Sequence, residues 1–220
     1  MGAVTFGIPK KLVCLIKEHY SIEIFVETGT FKGKTSVWAA GIFRDVFTIE
    51  NSKELFEYAS KTLSKYQNIH LLFGNSTLHL NKITAEINQS SIFWLDAHWC
   101  GGSTYGNDDP CPLLDEIRII KQSNFNHILM IDDARFFLKP PPQPQDPDLW
   151  PGLKEILDLL NKDEKYFTFV SEDVIVSLPV SGKKALQSYF NDIHRNEFPG
   201  GGIITNFLFA CRNICMKWRN

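Results

Sequence analysis

The stretch IFVETGTFKGKTSVWAA, residues 24 to 40, sets the reading of the whole chain. It opens on apolar residues, passes through Glu27, Gly29 and Gly33, and runs into a helical pattern, the order of a strand, a turn and a helix. Gly29 lets the turn bend sharply and a ligand approach the backbone, and Gly33 permits close packing of the helix. A phosphate loop would require GxGxxG, or GxxxxGK followed by Ser or Thr. The segment TGTFKGKT, residues 28 to 35, offers one four-residue glycine spacing and too short a loop, so nucleotide phosphate is not favoured. An acid just ahead of the glycine points instead to a cationic or hydroxyl-bearing ligand.

Outward from this unit the same alternation repeats. IEIFVETG, DVFTIEN, IHLLFGNS, SIFWLDAH and HILMIDDA are short apolar runs that end in acidic or small polar residues. Between them KTSVWAAGIF, SKELFEYASKTLSKY, STLHLNKITAEINQ and CPLLDEIRIIKQ carry helical periodicity, giving five successive strand-helix steps. LKPPPQPQDPDLWPG, residues 138 to 152, holds six prolines and reads as an extended loop, a candidate lid hinged at Trp150-Pro151-Gly152. A helix LKEILDLLNK follows, then YFTFVSEDVIVSLPV as a hairpin about a Ser-Glu-Asp turn, and residues 183 to 195 look helical. The expected fold is α/β, a Rossmann-like doubly wound and mainly parallel seven-stranded sheet with a C-terminal antiparallel hairpin.

A length of 220 residues, 44% hydrophobic and 22% charged, suits one globular domain. Within it we expect a cofactor and metal half over residues 20 to 137, the Pro-rich loop, and C-terminal strands and cover over residues 153 to 220. A net charge of -2 gives no basic field for nucleic acid. No run of ~18 apolar residues and no signal-peptide pattern is present, so the expected compartment is the cytoplasm with no membrane partner. Phe6 stands where a myristoylation signal wants Ser or Thr. Five cysteines without CxxC spacing indicate neither a disulfide framework nor a zinc ribbon; Cys100 and Cys111 flank a Gly-rich loop and could meet in space.

Glu27-x-Gly29-x-x-x-Gly33 resembles the first motif of the class I S-adenosylmethionine (SAM) methyltransferases. Glu50 closes the second strand a little over twenty residues on, where the resemblance implies that an acid accepts both ribose hydroxyls of the adenosine. At the end of the third strand Asn75 or Ser76 stands where the family often has an Asp beside the adenine. The cofactor set implied is Glu27, Thr28, Gly29, Thr30, Gly33, Thr35, Glu50, Asn51, Asn75, Ser76 and Asp96.

The fourth and fifth strands end in FWLDAHW and LMIDDAR, placing Asp96, His98, Asp132 and Asp133 at the carboxyl edge where open α/β sheets bind ligands. Crowded carboxylates repel unless neutralised, and hard oxygen ligands suit Mg²⁺ or a similar divalent ion. The arrangement resembles the metal-dependent O-methyltransferases of the catechol and macrocin types, whose metal positions Asp96, Asp132 and Asp133 match. The catechol enzymes' Lys three positions after the fourth-strand Asp is replaced by Trp99; His98, with a pKa ordinarily near neutrality, is a candidate base, and the resemblance to the sugar enzymes implies Asp96 as the alternative. The pattern WLDAHW.GG.T.G..D.P.L.EI also resembles little-characterised bacterial methyltransferase-like proteins encoded near glycan and natural-product genes. Asp108 or Asp109 could reach the metal, although an Asx turn before Pro110 fits them better.

The expected activity is Mg²⁺-assisted O-methylation of a small-molecule acceptor, with a homodimer left open as the assembly. A non-catalytic SAM- or nucleotide-binding subunit is the alternative. An NAD oxidoreductase is disfavoured by the missing GxGxxG.

Overall fold

The computed structural model of the protein describes residues 7–97, 111–141, 143 and 146–197. The chain divides into two compact units, Met1–Val180 and Ser181–Asn220. The first contains one seven-stranded sheet in the order β3-β2-β1-β4-β5-β7-β6. Its strands are β1 (Ile24–Thr28), β2 (Asp45–Glu50), β3 (Ile69–Phe73), β4 (Ile92–Leu95), β5 (Ile128–Ile131), β6 (Tyr166–Ser171) and β7 (Val174–Pro179). Pairing is parallel from β3 through β5, and β7 lies antiparallel to both β5 and β6. The five runs and the hairpin therefore fall where the sequence places them, and the second half of the hairpin is the strand that joins the parallel sheet. In the second unit, α7 (Lys183–Glu197) is the helix expected there.

The helices of the first unit are α1 (Lys10–Tyr20), α2 (Lys34–Ala40), α3 (Lys53–Leu63), α4 (Ser76–Glu86), α5 (Leu113–Lys121) and α6 (Leu153–Leu160). Helix α1 was not anticipated. Its signal is present all the same, because Leu12, Val13 and Ile16 recur at helical spacing and are buried. Ser52 caps α3 by accepting from the Leu55 N–H, and Glu155 returns to the Gly152 N–H at 2.8 Å to fix the start of α6.

Strands β1, β4 and β5 are buried at every position, as central parallel strands covered on both faces must be. One face carries Val26, Phe93, Leu129 and Ile131 into a core completed by Leu80, Ile83, Ile117, Ile120 and Ile156 of α4, α5 and α6. Burying each such side chain contributes about 1.5–3 kcal/mol, so this apolar layer is what sets the register. Trp150 belongs to the same core and packs on Phe137 with ring centroids 5.6 Å apart, while the Leu153 N–H donates to the Phe137 carbonyl at 3.1 Å. The place expected as a hinge is therefore an anchor: a buried indole holds the end of the Pro-rich segment against the residues just after β5.

Candidate active site

The strand order reverses beside β1, whose neighbours are β2 on one side and β4 on the other. At that reversal the connections leave in opposite directions and open a crevice at the carboxyl ends of the strands. The turn after β1 forms its floor. Gly29 has φ +83, and a Cβ there would lie 2.3 Å from the backbone oxygen of Asp96. The glycine thus makes room for the end of β4, whose Asp96 N–H donates to the Thr28 carbonyl at 3.1 Å. Close approach to this glycine was expected of a ligand; the end of β4 also comes close to it. Gly33, at φ +72, would drive a Cβ to 2.8 Å from the Leu63 side chain, so here the expected close packing is of α2 on α3.

Glu27 is bonded within the chain. It is 2% exposed and registers with Thr48 of β2 and Trp94 of β4, so all three share a sheet face. Its Oε2 accepts from the Thr48 hydroxyl at 2.7 Å and from the Ser36 hydroxyl of α2. Thr30 extends the group through a 2.6 Å contact with Thr48 Oγ1. Burial pushes the Glu27 carboxyl up to about 7, against the hydroxyl donors of Ser36, Thr48 and Thr35. These bonds tie β1, β2 and α2 together through Glu27.

Glu50 lies at the crevice itself. Its Oε2 accepts the Phe31 N–H and its Oε1 the Ser52 N–H, both at 2.8 Å. Burial raises its carboxyl above the ordinary value, opposed by the N–H donors of Ser52, Phe31 and Asn51. A carboxylate has about four acceptor positions, so these bonds leave capacity for a hydroxyl. Phe31 holds a left-handed φ of 49 and leaves its ring 54% exposed beside this carboxylate. Phe73, at the end of β3, is 50% exposed, and the Gly74 N–H that follows it donates to the Glu50 carbonyl. An acid flanked by half-exposed aromatic rings suits a ligand with a polar diol and a flat apolar base.

Asn75 is the N-cap of α4, its Oδ1 accepting from the Thr77 N–H at 2.9 Å and the Leu78 N–H at 3.3 Å. The side-chain oxygen proposed for an adenine edge is engaged in capping; Ser76, the next residue, is buried.

The acidic edge is partly neutralised from within. Asp96 and Asp132 follow directly on Leu95 and Ile131, a registered pair of β4 and β5, and the Asp132 N–H donates to the Leu95 carbonyl at 3.1 Å. Asp132 Oδ1 accepts the Asp133 N–H at 2.8 Å. Asp133 has a left-handed φ of 56 and an ion pair with Arg135 at 2.6 Å, and the same guanidinium pairs with Asp173 of the β6–β7 turn. Among the described residues no three His, Cys, Asp or Glu side chains are grouped so as to hold a metal ion. The Asp96, Asp132 and Asp133 triad expected for Mg²⁺ is therefore not assembled in this structure, because one of its members is held by a cation of the chain. His98, Cys100, Asp108 and Asp109 lie outside the described residues. Cys111 is buried.

Sequence reasoning missed Ser36, Thr48, Arg135 and Asp173. Thr48 becomes visible once β1 and β2 are aligned, since it falls opposite Glu27. Arg135 stands two residues after the Asp pair, and Asp173 was read only as a turn residue.

A sheet of this order, with a glycine turn after β1 and an acid closing β2, is the fold of the class I methyltransferases. Among solved structures the chain is similar to a protein assigned as a caffeoyl-CoA O-methyltransferase from Staphylococcus aureus, at 15% identity over 80% of this chain and 85% of that one, with a TM-score of 0.58. It is also similar to an O-methyltransferase from Bacillus cereus in complex with S-adenosylhomocysteine (SAH), at 15% identity over 79% and 82% of the two chains and a TM-score of 0.55. A third likeness is to an SAH-bound methyltransferase from Podospora anserina, at 14% identity over 76% and 74% and a TM-score of 0.52. At such identities the likeness is one of fold. No family model and no curated protein matches the chain.

Proposed function

We propose that this protein is a SAM-dependent methyltransferase acting on a hydroxyl of a small molecule, such as a sugar, a phenol or another natural product. The observation that carries the reading is Glu50. It stands at the carboxyl end of β2 beside the strand-order reversal, holds the β1 turn through the Phe31 N–H, and retains acceptor capacity toward the crevice. SAM would supply an electrophilic methyl group, so no nucleophilic protein side chain is required.

The chain's own residues would bind, orient and deprotonate. Glu50 accepts ribose hydroxyls, the Phe31 ring offers an apolar face, and the Gly29 turn forms the floor. Asp96, half-buried at the end of β4, or His98 would act as the base toward the acceptor. We assign the whole chain to one methyltransferase domain, with the Trp150-anchored Pro-rich segment on the acceptor side. No helix of the described residues is long and apolar enough to cross a membrane, and the cytoplasm is the compartment we propose.

The divalent ion is left out of this reading. Asp133 is occupied by Arg135, so no step is routed through a metal.

A second reading, binding of SAM without transfer, is favoured by the internal partners of Glu27 and Asp133, which make them sufficient as scaffold. The test is SAH formation, followed by mass spectrometry, with SAM and a panel of catechols and sugar diols. SAH production that depends on an acceptor supports transfer. Tight SAM binding with no SAH on any acceptor favours the second reading, and binding of NAD in place of SAM contradicts both.

A further inference from the structure

The ends of β4 and β5 and the β6–β7 turn carry four aspartates: Asp96, Asp132, Asp133 and Asp173. The backbone is shaped to bring a fifth group among them. Asp133 takes the left-handed conformation, which turns the chain so that the Ala134 N–H donates to the Asp173 carbonyl at 2.8 Å and the Arg135 N–H to Asp173 Oδ1 at 2.9 Å. The Arg135 guanidinium then spans Asp133, at 2.6 Å, and Asp173. Its carbon Cζ lies 4.4 Å from the centroid of the Phe136 ring, and its side chain is 32% exposed. The cation is thus held by two carboxylates, a ring face and its own backbone N–H.

We propose that Arg135 is the resident cation of this acidic edge and occupies, electrostatically, the position that a divalent metal would otherwise take. A guanidinium is permanently charged and fans its N–H donors in a plane, so one group can neutralise two carboxylates without drawing water or a metal into the site. Asp133 cannot ligate a metal while it bridges to Arg135, and a divalent ion placed between Asp96 and Asp132 would sit close to a fixed like charge. Arg135 stands just after β5, at the carboxyl edge of the sheet. On the transferase reading, and only there, this makes the acceptor's oxygen answer to an arginine. The claim about the metal does not depend on that reading.

The test is metal binding measured directly, with Mn²⁺ as the probe and its free-ion EPR signal as the readout, on the full chain in the absence of cofactor. Wild type and Arg135→Lys, which retains a cation, should leave millimolar Mn²⁺ free. Arg135→Gln and Arg135→Met, the second chosen because its stem still covers Phe136, should each bind one Mn²⁺ per chain at least about tenfold more tightly, since removal of the cation restores the ligand charge that sets such affinities. One equivalent of Mn²⁺ bound by the wild type at micromolar concentration would overturn the proposal. So would failure of both charge-removing variants to gain binding, because Arg135 would then not be what keeps the ion out. SAH titration of the same samples keeps failure of the cofactor reading separate, since it leaves the Mn²⁺ result unchanged.

Discussion

Replacing Glu27 by Gln should flatten the pH dependence of stability across the neutral range. Glu27 is buried among Ser36, Thr48 and Thr30, and its carboxyl is held up to about 7 from an ordinary 4.5. The folded protein therefore binds this proton more tightly than the unfolded chain does. The stability contributed is fully present below pH 4.5 and is lost as pH rises to about 7. At ~1.4 kcal/mol per pH unit, the ionised form above pH 7 costs the fold about 3 kcal/mol. A glutamine can keep the hydroxyl partners but cannot ionise, so Glu27→Gln should gain about 3 kcal/mol on wild type between pH 4.5 and pH 8. For a domain of this size that is a relative rise in Tm of roughly 6–12 °C. Thermal unfolding at half-unit pH steps measures it. Curves that stay parallel from pH 4.5 to 8, whatever their offset, would refute the reasoning.

Gly29→Ala places a methyl 2.3 Å from the Asp96 carbonyl oxygen at a positive φ, so it should cost about 2–5 kcal/mol in chemical denaturation; a loss under about 0.5 kcal/mol would mean that β1 and β4 do not meet as described. Glu50→Ala should weaken SAH at least tenfold by calorimetry, since a charge-assisted hydrogen bond to a ligand contributes about 1.5–3 kcal/mol, and unchanged affinity would remove Glu50 from the site. Asn75→Ala should lower stability by about 1 kcal/mol as a lost helix cap while SAH affinity stays within twofold; the reverse pattern would return Asn75 to the ligand. Trp150→Ala should cost about 3–5 kcal/mol and accelerate proteolysis between Leu138 and Trp150, whereas a mobile hinge would tolerate the change.

The sheet was legible because its signals are local and repeated. IFVET, IFWL and ILMI are buried throughout, as a parallel sheet covered on both faces requires, while DVFTIE is buried in part and IHLLF, at the sheet's edge, is half-exposed; all five are apolar runs bounded by turn residues. The hairpin was legible from its turn. What the sequence concealed was direction and partnership. Glu27 and Glu50 are both strand-end acids, yet one is bonded by the side-chain hydroxyls of Ser36 and Thr48 and the other by the backbone N–H groups of Phe31 and Ser52, a difference that depends on which strand and turn lie alongside. Asp132 and Asp133 read as a pair of equivalent ligands, but Asp133 is itself left-handed and its carboxylate goes to the Arg135 guanidinium. That partner includes Asp173, almost forty positions away, which no local pattern connects to the site. Gly29 carried the signal of close backbone approach, and the end of β4 is one group that uses it.

The measurement that bears most directly on the central claim is calorimetric titration of the wild-type chain with SAH, and with NAD under the same conditions. The account predicts one SAH site per chain, no heat with NAD, and loss of the SAH signal in Glu50→Ala while its unfolding remains cooperative. Absence of SAH binding by folded wild-type protein, or SAH binding indifferent to Glu50, would contradict it.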